Sequence, residues 1–164
     1  MEDKQALLKR VTPLAILKAM TPESRDAITK NCLGDEIIGI WKFPFRIGRE
    51  SRIKNQDGRF VVSERHKSAG GEPVNDIYLV DDRHFLQISR EHLKIEKTKI
   101  GYFVYDRGSA CGTIINSKKI GGEDQGGTGM LKDGYTIRIG AEDSPYLFEF
   151  ITLSDEKKKT VPKS

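Results

Sequence analysis

Two hydrophobic rhythms divide the chain. Over residues 4–33 apolar side chains recur at three- and four-residue steps: Leu7, Leu8, Val11, Leu14, Ala15, Leu17, then Ala27 and Ile28. That spacing gathers them on one face of a helix. Thr12-Pro13 and Thr21-Pro22 punctuate the segment. Threonine accepts a bond from the first free amides of a helix, and proline tolerates the first helical position because its missing N–H would lack a partner there. The pattern predicts two or three short helices, stopped near Gly34.

After Asp35 the rhythm changes. Short runs rich in Ile, Val, Tyr and Phe are broken by Gly, Asn, Asp and Ser, the pattern of an all-β sandwich. Strands are expected at 37–43, 45–48, 76–80, 91–96, 102–106, 112–115, 136–139 and 146–151. In the run 91–96, Leu93 and Ile95 alternate with His92, Lys94 and Glu96. Such alternation turns one face to a core and one to solvent. A long polar stretch separates Arg49 from Asn75. It holds a strand-like run at 59–63 behind a hairpin tip at Asp57-Gly58. Ala69-Gly70-Gly71, Gly121-Gly122 and Gly126-Gly127 mark loops. Trp41 is expected in the core. The organisation predicted is a helical extension at residues 1–35, a β-sandwich at 36–153 and a charged flexible tail at 154–164.

Composition narrows the function. The chain has 164 residues, 37% hydrophobic and 32% charged, which suits one core with an appendage. The net charge of +4 is small and both signs are mixed along the chain, as on a solvated surface. Arg46, Arg52, Lys54, Arg59, Arg65 and Lys67 cluster around the polar stretch, where flanking acidic peptide residues could be read. No aromatic stacking array accompanies the basic residues, so nucleic acid is not an expected partner. Cys32 and Cys111 stand far apart in no metal-ligand spacing, which argues against zinc and against a disulfide framework. Reduced thiols, with no leader peptide and no apolar run long enough to cross a bilayer, fit a cytoplasmic protein. No carboxylate pair, metal-ligand spacing, phosphate-loop motif or nucleophile–base arrangement emerges, so neither catalysis nor a cofactor is expected. His66 and His84 read as ordinary loop residues.

Three segments carry the remaining chemistry. They are Phe45-Arg46-Ile47-Gly48-Arg49, Ile88-Ser89-Arg90-Glu91-His92, and Asp106-Arg107-Gly108-Ser109-Ala110-Cys111-Gly112-Thr113 followed by Ile114-Ile115-Asn116. Each places small or hydrogen-bonding residues where a strand meets a loop, the usual location of a binding site on a rigid sandwich. In their order and spacing they resemble the forkhead-associated (FHA) domain, whose pattern runs Gly-Arg, Ser-x-x-His, then Asn-Gly-Thr. The runs 75–79 and 131–140 resemble flanking parts of the same family, and the likeness covers about residues 37–152.

The resemblance implies a mainly β, FHA-like sandwich of two antiparallel-rich sheets that binds phosphothreonine. Arg49 would meet the phosphate with its planar fork of donors. Ser89 would donate its hydroxyl to the same phosphate, and Arg90 would add a second positive charge. Gly112 and Thr113 belong to the expected peptide-binding set. Gly48, His92 and Asn116 would shape the loops, His92 by tying them together. Cys111 departs from the family, standing where Asn usually holds the peptide backbone; a thiol is a poor hydrogen-bond partner. The expected partner is a phosphothreonine-containing protein or peptide. Thr12, Thr21 and Thr160 also allow a partner in cis. The alternative is a structural interaction module that has lost phosphate binding and assembles through its sandwich or N-terminal helices. Oligomeric state is not legible.

Overall fold

The computed structural model describes residues 2–28, 33–34, 36–51, 53–62, 73–81 and 85–153. Cys32, Arg52, Arg65, His66, Lys67, the 69–71 loop, His84 and the tail with Thr160 lie outside them, as does the side chain of Lys54.

Helix α1 spans Lys4–Val11 and α2 spans Pro22–Ala27. Asp3 caps α1, accepting from the Ala6 amide at 2.8 Å. Thr21 caps α2, accepting from the Ser24 amide at 3.0 Å, and Pro22 opens that helix as its sequence predicts.

Thr12-Pro13 behaves differently: Thr12 closes α1. The chain then extends into strand β1, Ala15–Ala19. This corrects the helical reading of Leu14, Ala15 and Leu17. Strand β1 lies between β2 (Ile37–Ile40) and β13 (Leu147–Thr152), antiparallel to both. Ala15, Leu17 and Ala19 alternate inward and are buried. The expected boundary at 35/36 therefore cuts between two paired strands of one sheet.

The remaining strands are β3 (Phe45–Arg49), β4 (Ile53–Gln56), β5 (Arg59–Val62), β6 (Ile77–Leu79), β7 (Leu93–Thr98), β8 (Gly101–Asp106), β9 (Thr113–Ile115), β10 (Lys118–Ile120), β11 (Gly127–Leu131) and β12 (Thr136–Ile139). One sheet has the order β10-β9-β12-β13-β1-β2, the other β11-β8-β7-β3-β6, and β4-β5 forms a separate hairpin. Asp57 and Gly58 join that hairpin with φ of 52° and 77°, the left-handed geometry a two-residue turn requires. The pair β3–β6 is parallel.

Leu17, Ile38, Ile137, Phe148 and Phe150 of the first sheet face Ile47, Leu79, Leu93, Ile95 and Val104 of the second. All are at most 2% exposed. This dry layer fixes the strands, and the strands fix the loops at their ends. Trp41, expected in the core, is 38% exposed. It follows β2 at the sandwich end and covers Gly39, whose absent Cβ would fall 2.4 Å from the indole ring.

Candidate functional site

Strand ends bring the three sequence segments to one end of the sandwich. A cleft of about 430 Å³ is lined by Arg49, Ser89, Arg90, Glu91, Arg107 and Asp124, among others. Arg49 ends β3 and is 7% exposed. Its amide donates to the Ser89 carbonyl at 3.0 Å, and its Nε donates to the Ile88 carbonyl at 3.0 Å. The guanidinium is thus held against the loop that carries Ser89.

The Ser89 hydroxyl accepts from the Ala110 amide at 3.0 Å. A hydroxyl that accepts keeps its own proton to donate, so this group can still give a bond to an anion. Arg90 is exposed at the cleft, and its carbonyl accepts from Asn75 Nδ2 at 2.7 Å.

Gly48 explains how the loop can sit so low. A Cβ there would fall 2.0 Å from the Arg90 carbonyl oxygen and 2.4 Å from Asn75 Nδ2. Only glycine permits this approach.

His92 is fully buried between two loops. Its Nδ1 accepts from the Ser89 amide at 3.0 Å, so the proton sits on Nε2, which donates to the Gly112 carbonyl at 2.8 Å. Burial pushes the imidazole below its ordinary pKa, against the opposing pull of the Gly112 carbonyl and of Asp106 and Asp81. A neutral ring is what this pair of bonds needs: protonated Nδ1 would point a proton at the Ser89 N–H.

Gly112 and Thr113, expected to face a peptide, are buried. The Gly112 amide donates to Ser109 Oγ at 2.9 Å, and its carbonyl takes the His92 and Gly140 bonds. The Thr113 hydroxyl donates to Asp106 Oδ2 at 2.8 Å. Both residues support the loop from beneath. Asn116 stands at the opposite end of β9 from that loop, accepting from the Thr136 amide at 2.9 Å with φ of 54°. Cys111 is half-buried, its Sγ 3.6 Å from the Leu86 carbonyl.

Sequence reasoning missed the polar frame beneath the cleft. Asp106 accepts from the Gly108 and Ser109 amides and from the Ser109 and Thr113 hydroxyls, which folds the loop 106–113 around one carboxylate. Asp81 accepts from the Gln87 and Ile88 amides at 2.7 Å and from the Tyr146 hydroxyl at 2.8 Å. Asn75 bonds Arg90 on one side and accepts from Arg107 at 2.6 Å on the other. Arg107 also donates to Glu91 at 2.6 Å, which leaves its guanidinium at the cleft wall. Asp106 and Arg107 lie in the third segment itself. Asn75 opens a run that resembled a family strand, so only its bridging role went unread.

Thr21, a proposed cis partner in sequence, directs its hydroxyl to the Pro145 carbonyl at 2.6 Å. It ties α2 to the sheet. Among the described residues no helix is long and apolar enough to cross a membrane.

The fold and cleft define a two-sheet sandwich that gathers its polar loops at one end. The FHA domain family model matches residues 45–140, more than half of the chain, and the chain belongs to that family. The oxoglutarate dehydrogenase inhibitor of Corynebacterium jeikeium (strain K411) is 30% identical over 89 residues, 54% of this chain and 55% of that protein. The chain thus spans about half the length of this curated relative. Among solved structures, EmbR of Mycobacterium tuberculosis in complex with a low-affinity phosphopeptide has a TM-score of 0.50 at 21% identity, covering 85% of this chain and 24% of that one. An engineered FHA domain with a Myc-pTBD peptide has a TM-score of 0.51 at 13% identity, covering 90% and 97%. At these identities the likeness is one of fold.

Proposed function

We propose that the chain is a phosphothreonine-dependent protein-binding module that recruits a phosphorylated partner through Arg49 and Ser89, without a catalytic step. The observation that carries this reading is the joint fixing of the two side chains: the Arg49 amide and Nε both bind the loop whose hydroxyl belongs to Ser89. A phosphate in the cleft would take charge-assisted bonds from the guanidinium and a hydroxyl bond from Ser89. Arg90 and Arg107 outweigh Glu91 and Asp124 once Arg49 is added, so the lining favours an anion. EmbR, which shares this fold, is described in complex with a phosphopeptide.

One observation favours the structural-module alternative. Cys111 places a weak thiol where the family usually has an amide to grip the peptide backbone. Thermal melts with a phosphothreonine peptide separate the readings. The proposal expects a rise in Tm for the wild type, absent with the unphosphorylated peptide and much reduced in Ser89→Ala. An equal rise in Ser89→Ala would move the ligand away from this loop.

A further inference from the structure

The end of the sandwich opposite the cleft carries its own groove. It has a volume of about 640 Å³ and is lined by Ile100, Tyr102, Met130, Lys132, Asp133 and Leu153, among others. Strand β8 runs from Gly101 at the groove to Asp106 beside the cleft, about 17 Å at the rise of an extended chain. The two sites therefore cannot share one ligand residue.

Exposed apolar side chains line this groove. Of the eleven exposed large hydrophobic residues among those described, Ile100, Met130 and Leu153 line the groove, with Ile100 82% exposed. Trp41 follows β2 at the same end, because Ile40 pairs with Ala15 and Ala15 with Thr152. Leu7, Leu8 and Val11 stand exposed on α1, which buries no residue and enters the sheet at this end through Leu14. Three exposed apolar side chains at one groove mark an interaction surface.

Charge selects the occupant. Lys132 lines the groove beside Asp133, which already accepts from the Thr152 amide at 2.8 Å, and the exposed Lys97 and Lys99 precede Ile100 in the chain. Lys97 holds its ammonium 5.5 Å over the Tyr102 ring, at the groove wall. A second copy of α1 would bring Lys4, Lys9 and Arg10 against these lysines. The concave floor fits the apolar ridge of a helix, and the lysines fit acidic flanks.

We propose that this end of the sandwich is a second docking surface, for an acidic amphipathic helix of a partner protein. With the phosphate cleft at the far end, one chain can then hold a phosphorylated segment and a helical segment together. The test is fluorescence anisotropy with a labelled peptide of about 18 residues, leucine at helical spacing and glutamate elsewhere, beside a version with lysine for glutamate. The glutamate peptide should bind at least about tenfold more tightly than the lysine peptide. Ile100→Glu should weaken it about tenfold or more, and Met130→Glu likewise. Both positions are exposed, so the variants should melt as the wild type does. Arg49→Ala should leave this binding unchanged, which separates its outcome from that of the phosphate cleft. Equal binding of the two peptides, no binding of the glutamate peptide, or indifference to both glutamate variants would overturn the proposal. So would capture by phosphatidylserine vesicles without peptide binding, which would assign the patch to lipid.

Discussion

Replacing Asn75 by alanine removes two bonds with one change. Its Nδ2 donates to the Arg90 carbonyl at 2.7 Å and its Oδ1 accepts from Arg107 at 2.6 Å, while the residue is only 3% exposed. Leaving a buried polar group without its partner costs about 1–3 kcal/mol. Arg107 keeps Glu91 and the Val74 carbonyl, which holds its share near the low end. The expected loss is about 2–4 kcal/mol, or a fall in Tm of about 5–15 °C for a domain of this size. Asn75→Asp refines the reasoning. The carboxylate keeps the Arg107 contact and charges it, but turns an oxygen toward the Arg90 carbonyl. It should cost less than alanine, yet weaken an anion in the cleft by adding a negative charge beside Arg90 and Arg107. Urea denaturation gives the stability, and titration with a phosphothreonine peptide gives the affinity. An Asn75→Ala protein within about 0.5 kcal/mol of the wild type would refute the claim that this side chain carries the loop.

Other consequences follow from the same geometry. Gly48→Ala would put a Cβ 2.0 Å from the Arg90 carbonyl oxygen and 2.4 Å from Asn75 Nδ2, so both must move away from β3; it should cost about 1–3 kcal/mol or more and abolish phosphopeptide binding, read by melting and titration. Because burial depresses the His92 pKa, the unfolded chain binds a proton that the folded chain refuses. Its contribution to stability is therefore fully present above about pH 6.5 and is lost as pH falls from there through the folded value, by at most about 1.4 kcal/mol per pH unit. Unfolding curves between about pH 7 and 5 should show that slope in the wild type and lose it in His92→Gln. A slope unchanged by the substitution would place the pH dependence elsewhere.

Most strands were legible because their apolar residues alternate or their turns carry Gly, Asn and Asp. Strand β1 was not. Ala15 and Leu17 fit a helical stripe begun at Leu7, and a five-residue alternation with alanine at both ends is a weak signal. The pairing of β1 with β2 and β13 decides its state, and that information lies more than a hundred residues away on one side. Strand β11 was masked by glycines: Gly127 and Gly129 lie within it, where Gly129 leaves room for Ile115, and β10 is only three residues long, two of them lysines. At the site, Arg49, Ser89 and His92 were legible because their spacing fits a family pattern. The frame of Asp81, Asp106 and Asn75 was not, since a lone buried acid or amide in a loop gives no sign of which amides it will gather. The burial of Gly112 and Thr113 was likewise hidden, because motif membership does not tell a supporting residue from a contacting one.

The central claim is that Arg49 reads a phosphothreonine, and calorimetric titration tests it most directly. The account predicts that folded wild-type protein binds members of a phosphothreonine peptide library in the micromolar range, on the order of −8 kcal/mol, and that Arg49→Ala, still folded, does not. Absence of binding by the wild type to every pool, or binding that survives Arg49→Ala, would contradict it.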